Sequence, residues 1–97
     1  MSREISHVCL FRLRRELLDA DRRELDRYAE EILRSLEGVR RYRFVANRSR
    51  KAGGFDLVLD SCFASEAELR AYVQTPLHDE LARYMDGLVE QTIVADY

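Results

Sequence analysis

The chain has 97 residues, enough for one small core and no second one, and 46% hydrophobic with 35% charged residues is the balance of a folded globular domain. Its formal net charge of -2 combines 16 basic and 18 acidic residues in mixed clusters, such as Arg22-Arg23 between Asp21 and Glu24. Interleaved signs describe a solvated face and exclude a phosphate-binding stripe, and with it nucleic acid as a partner. No run approaches the roughly 20 apolar residues that span a bilayer, and Met1-Ser2-Arg3-Glu4 opens without an apolar leader, so a cytoplasmic protein with no membrane partner is expected.

In chain order, Ile5 to Leu13 alternates as a strand, with Ile5, His7, Cys9, Phe11 and Leu13 on one face and Val8 and Leu10 on the other. From about Asp21 the period changes to three- and four-residue steps through Leu25, Tyr28, Ala29, Ile32 and Leu36, the stripe of an amphipathic helix. Asp21 with Glu24 predicts its capping box, and Gly38 its terminator. Arg40 to Arg48 reads as a second strand, Asn47 to Gly54 as a loop, and Phe55 to Phe63 as a third strand. Ser65-Glu66-Ala67-Glu68 is a capping box opening a helix through Leu69, Tyr72 and Val73. Thr75-Pro76 restarts a helix that carries Leu77, Leu81, Tyr84, Met85 and Leu88, with Gly87 marking its end and Gln91 to Tyr97 forming the last strand.

The order βαββαβ, with the second helix broken in two, predicts an α+β ferredoxin-like domain over residues 1–97, both helical layers lying on one face of a four-stranded antiparallel sheet. The first and third strands, the expected central pair, are apolar on both faces. The uncovered face therefore calls for a second copy, giving an isologous homodimer in which two sheets close into a dimeric α+β barrel. Cys9 and Cys62 each sit inside an apolar strand pattern and read as buried free thiols; a bridge between them needs the two strands to be neighbours.

One place combines specific backbone punctuation with proton-transfer groups. Between Tyr72 and His78, Thr75 caps the new helix with its hydroxyl and Pro76 occupies the first helical position, so the chain bends and the phenol and imidazole can face one cavity. His78, with an ordinary pKa near 6.5, suits a general base, and Tyr72 a hydrogen-bond donor to a carbonyl oxygen. Against this stand a bracing role for His78 and core packing for Tyr72. His7 on its apolar strand face is read as a core imidazole or a pocket wall. Tyr28, on the first helix's stripe, is read as core or pocket lining, and Asp96 as the partner of a basic residue or a backbone donor. No carboxylate stands at ligand spacing to either histidine, and Gly53-Gly54 lacks the Lys and Ser or Thr of a phosphate loop, so no metal, nucleotide or other cofactor is expected.

With these elements placed, the chain resembles the stress-responsive dimeric α+β barrel (Dabb) family. The residues that carry the resemblance are His7-Val8-Cys9-Leu10-Phe11-Arg12-Leu13, Leu36-Glu37-Gly38-Val39, Gly54-Phe55-Asp56-Leu57-Val58-Leu59, Phe63-Ala64-Ser65 with Ala71-Tyr72 and Pro76-Leu77-His78, and Val94-Ala95-Asp96-Tyr97. The resemblance implies a homodimeric barrel with a pocket between sheet and helices in each subunit. Some members are stress-associated proteins without settled chemistry, and some are similar to cofactor-free polyketide cyclases, in which a Tyr and a His matching Tyr72 and His78 promote an intramolecular aldol condensation. Leu57 departs from the His that often follows Asp in the family, which makes the pocket drier, and Glu37 stands where Pro is favoured before the Gly-Val turn. The resulting expectation is a cofactor-free enzyme on a small polyketide-like or aromatic carbonyl compound. His78 and Tyr72 are its catalytic pair, and His7, Tyr28, Leu57, Leu59, Leu81 and Met85 line the pocket. The alternative is a non-catalytic stress-responsive protein that oligomerises or binds a ligand.

Overall fold

The alternating apolar residues of Ile5–Leu13 build the long central strand β1, and the rest of the chain is arranged around it. The computed structural model describes residues 3–97, so Met1 and Ser2, the start of the expected leaderless opening, lie outside the described residues. After β1 come α1 (Asp19–Ser35), β2 (Val39–Ala46), β3 (Leu57–Phe63), α2 (Glu66–Val73), α3 (Pro76–Leu88) and β4 (Val89–Asp96). The sheet has the order β2-β3-β1-β4 with every pairing antiparallel, so β1 and β3 are the central pair. This is the ferredoxin-like βαββαβ arrangement, with the second helical layer in two pieces.

Register sorts the side chains by face. Cys9 lies opposite Leu59, which lies opposite Phe44, and Phe11 lies opposite Leu57; these residues are buried under Leu25, Ile32, Leu69, Leu81 and Leu88 from the helices. On the other face the row Val45, Val58, Leu10 and Ile93 crosses all four strands. The first three are only half-buried and Ile93 is exposed, so this apolar surface is left open to solvent. Beside it Arg41 and Arg43 both converge on Asp60, at 3.1 and 2.9 Å. Cys9 and Cys62 are both buried and unbridged.

Several boundaries differ from the sequence expectation for local reasons. Helix α1 begins at Asp19, because Leu18 is extended (φ -88°, ψ 162°) and ends the preceding loop. Asp21 therefore sits inside the first turn, where its carboxylate accepts from the Leu18 N–H at 2.9 Å, while Glu24 pairs with Arg27 at 2.6 Å instead of capping. Gly38 does not end α1 through a left-handed residue; the helix stops at Ser35 with Leu36 extended (φ -121°, ψ 106°), and only Gly53 and Gly54 have positive φ among the described residues. Gly87 lies inside α3, which passes at Leu88 directly into Val89 of β4, two residues before the expected start. Strand β2 starts at Val39 and stops at Ala46, and β3 starts at Leu57 and not Phe55. Asn47 closes the loop there: its N–H donates to the Asp56 carbonyl at 2.8 Å and its side-chain amide to the Phe55 carbonyl at 2.8 Å. Gly53 (φ 61°) and Gly54 (φ 88°) then turn the chain through backbone space that other residues enter at a cost.

Candidate functional site

The Thr75-Pro76 punctuation sets the site. Thr75 is the N-cap of α3, its Oγ1 accepting from the His78 N–H at 3.2 Å, and Pro76 takes the first turn, where its missing N–H leaves nothing unsatisfied. The same hydroxyl donates to the Tyr72 carbonyl at 2.7 Å, and the Thr75 N–H donates there too at 3.0 Å. The last turn of α2 is thus stapled to the first turn of α3. Tyr72 and His78 meet edge to face, with ring centroids 4.9 Å apart and planes at 85°.

Both rings border a cavity of about 210 Å³ between sheet and helices. Its walls come from β1 (His7, Cys9, Phe11), β2 (Tyr42, Phe44), β3 (Leu59), α3 (Leu81, Met85) and β4 (Thr92). Of the expected lining residues, the structure brings His7, Leu59, Leu81 and Met85 together with Tyr72 and His78. Tyr28 and Leu57 stand elsewhere. Tyr28 packs against Tyr84 at 6.1 Å with Arg27 over its ring at 4.5 Å, because the apolar stripe of α1 spans a wider arc than the cavity. Leu57, 2% exposed, borders a separate hollow with Leu13, Arg22 and Asp56, near the other end of the sheet.

Beside Asp86 and Thr92, which also border the cavity, its polar groups fall into two sets. In the first, Tyr42 and Tyr72 hydrogen-bond through their hydroxyls at 2.5 Å. Burial pushes Tyr72 up to about 12, and Tyr42 well above the ordinary phenol value, so both stay protonated at neutral pH. His78 adjoins them, and neither of its ring nitrogens has a hydrogen-bond partner among the described residues; its Nδ1 is wholly shielded from solvent and lies 4.0 Å from an Asp79 carboxylate oxygen. Burial lowers the His78 pKa below its usual 6.5, Asp79 opposes that shift, and His7 adds to it. The ring is therefore neutral near pH 7 with an unengaged lone pair, the state a proton acceptor needs.

The second set is a relay on the sheet. Asp96 Oδ1 lies 2.6 Å from His7 Nδ1, and the Cys9 sulfur lies 3.4 Å from His7 Nε2. Asp96 thus pairs with an imidazole, as the basic partner expected for it. The order Asp–His–Cys has the look of a nucleophilic triad, but burial and then the Asp96 charge raise the Cys9 thiol to about 11, leaving a protonated wall and not a thiolate. No group of three or more His, Cys, Asp or Glu that could hold a metal ion occurs among the described residues.

Sequence reasoning missed Tyr42, Cys9 and Phe44 as parts of the site. Alternation already turned Tyr42 and Phe44 inward; only the packing of α2 on β2 and β3 shows which inward residue meets Tyr72. Chemically the site can take a proton at His78 and donate a hydrogen bond from Tyr72 to an oxygen.

Comparison with known proteins extends this picture. A dimeric ferredoxin-like protein of unknown function from Jannaschia sp. CCS1 superposes with a TM-score of 0.84 at 18% identity, covering 97% of either chain. The hydroxynitrile lyase from Passiflora edulis gives a TM-score of 0.83 at 16% identity, over 100% of this chain and 94% of that one. A Dabb family protein with a ferredoxin-like fold from Mesorhizobium loti gives 0.78 at 23% identity, over 97% and 94%. At these identities the likeness is one of fold. No curated protein matches the chain at a significant level. The model of the stress responsive A/B barrel domain matches residues 5–97, nearly the whole length, and the chain therefore belongs to the Dabb family.

Proposed function

We propose that this chain acts as a homodimer that binds a small, largely apolar carbonyl compound between sheet and helices and activates it without a cofactor. The observation that carries the reading is His78: a neutral imidazole with both nitrogens unengaged by protein, bordering an apolar cavity next to a pair of protonated phenols. In such a site His78 takes a proton from the carbon beside the carbonyl. The enolate oxygen that forms is held by the Tyr72 hydroxyl, a contact that strengthens as charge develops. The enolate carbon then attacks a second carbonyl of the same molecule, and the new alkoxide recovers the proton from His78, an aldol closure of the polyketide-cyclase type.

Size narrows the substrate. An apolar cavity of about 150 Å³ holds benzene, so about 210 Å³ suits a one-ring carbonyl compound or its open-chain precursor. The homodimer is supported by the open apolar row on the sheet and by dimeric proteins of the same fold. That an enzyme of lyase type uses this fold supports catalysis on it.

The test needs no natural substrate. In D2O with phenylacetone as probe, the wild-type protein should accelerate exchange of the methylene protons beside the carbonyl, and His78→Ala should abolish that acceleration while keeping dimer mass and melting temperature. Exchange undiminished in His78→Ala would remove the base from the mechanism. A collapse of stability in that variant would favour the alternative, a stress-responsive barrel in which His78 braces the Thr75-Pro76 turn.

A further inference from the structure

The Tyr42–Tyr72 contact has a direction that the single distance does not state. Each hydroxyl has one proton and can accept a further hydrogen bond, and among the described residues neither side-chain hydroxyl has a partner besides the other. Only one of the two protons is used between them; the other must find an acceptor in the cavity. Tyr42 is fixed on the sheet at 2% exposure, wedged between Phe44 (5.9 Å) and the Tyr72 ring (5.7 Å). Tyr72 sits on the helix that adjoins His78 and is enclosed on another side by Phe63 at 5.1 Å. A buried donor left without an acceptor costs about 1–3 kcal/mol, most where water is least able to reach. Both phenols border the cavity, and Tyr42, at 2% exposure against 4% for Tyr72, is the deeper of the two and the one that gains more by spending its proton on its neighbour.

We infer that Tyr42 is a positioning residue: it donates to Tyr72, so that the Tyr72 proton points into the cavity and a chain Tyr42→Tyr72→ligand oxygen forms when an acceptor enters. The inference rests on the proposed role of Tyr72 as donor, and it specifies the ligand further: an acceptor oxygen, such as a carbonyl or carboxylate, must reach Tyr72. Two consequences go beyond a packing role. Negative charge moving onto Tyr72 as its proton is drawn toward the ligand is stabilised by the Tyr42 hydroxyl, and consecutive hydrogen bonds polarise one another in the same direction. The groups around Tyr72 leave this ordering intact: Cys9 from β1 is a protonated thiol and His78 from α3 a neutral imidazole near pH 7, so neither sets a charge beside it.

The test reads the pair directly, without substrate or turnover. 3,5-Difluorotyrosine, whose ring is more acidic than tyrosine, is placed at position 72 or at position 42, and its ionisation is followed by 19F NMR against pH. The label at 72 should ionise at lower pH than the label at 42. In a Tyr42→Phe background the midpoint of the label at 72 should rise by about one unit, the tenfold loss expected when a charged acceptor loses a donor. A midpoint at 72 that is unchanged or lowered in Tyr42→Phe, or a reversed order of the two labels, overturns the assignment. The comparison of labels holds even if Tyr42→Phe folds poorly, since it needs no substitution beyond fluorine. The exchange experiment with His78→Ala can fail while this titration succeeds, and the reverse, so the two readings are separable.

Discussion

At the residue scale the site depends on differences between chemically similar groups. His7 has a carboxylate at 2.6 Å and a thiol at its other nitrogen, whereas His78 has no hydrogen-bonded partner on either among the described residues and its nearest carboxylate, Asp79, is 4.0 Å away. The second is the proposed proton acceptor. Because burial lowers the His78 pKa, the folded protein favours the neutral ring. Activity that requires the neutral ring should persist below pH 6.5 and fail only as pH drops through the lowered value. The linked effect on stability has the same sense: protonation is easier in the unfolded chain, so the fold loses stability as pH falls below the ordinary 6.5. A histidine-selective NMR titration should place the His78 midpoint below 6.5; a midpoint above it would contradict the burial that defines the site. The sequence exposed this residue, because Thr75 and Pro76 are local signals that fix a helix start three residues away. It hid the pairing of His7 with Asp96, which depends on the register of β1 against β4 across 89 positions.

At the scale of elements, two contacts hold the helices in relation to the site. Thr75 joins α2 to α3, and Thr75→Ala removes both the cap on His78 N–H and the hydroxyl's bond to the Tyr72 carbonyl, leaving only the one from the Thr75 N–H. Caps of this kind contribute about 1 kcal/mol, so a urea titration should show a loss of about 1–2 kcal/mol, with Thr75→Ser nearly neutral. The other contact is the Asp21 cluster. Its carboxylate, buried at 5% exposure, accepts from Arg15 at 2.5 and 3.0 Å, from the Tyr84 hydroxyl at 2.6 Å and from the Leu18 N–H. This ties α1 to α3. The Arg15 bonds, then Tyr84, hold the Asp21 carboxyl far below the usual carboxylate range. The stabilisation is therefore complete above about pH 4, the unfolded value, and is lost as pH falls through the lower folded value. Asp21→Asn should be less stable than wild type at neutral pH, and the gap should narrow steadily in acid unfolding below pH 4; a constant gap would mean the charge is irrelevant. Sequence alone assigned Asp21 to a cap. Its partners Arg15 and Tyr84 come from a preceding loop and a distant helix, and no local pattern announces such a meeting.

At the scale of the whole molecule, strand order and the helix-covered face were legible because alternation and a helical stripe are periodic signals that a fold must satisfy everywhere. The extent of the cavity was not, since it is a remainder: the space left where Tyr28 turned to Tyr84 and Leu57 to another hollow. The open row Val45, Val58, Leu10 and Ile93 is where a second copy is proposed to pack. Leu10→Asp places one buried charge per subunit in an isologous contact, two per dimer. An uncompensated buried charge costs about 3–5 kcal/mol, so sedimentation should show a dimer weakened by at least about a hundredfold. Wild-type melting temperature should rise with protein concentration, and that of the variant should not; an unshifted dimer in Leu10→Asp would locate the interface elsewhere. Finally, the uneven placement of connecting segments decides where the chain can be re-engineered. Helix α3 enters β4 with no intervening residue, so His78 and Asp96 stand on one unbroken run in which an inserted tag or a new pair of termini would displace the cavity wall. The Gly53-Gly54 turn, which contributes nothing to the cavity lining, is the natural point to graft a fluorophore or open a circular permutant that still presents an intact cavity.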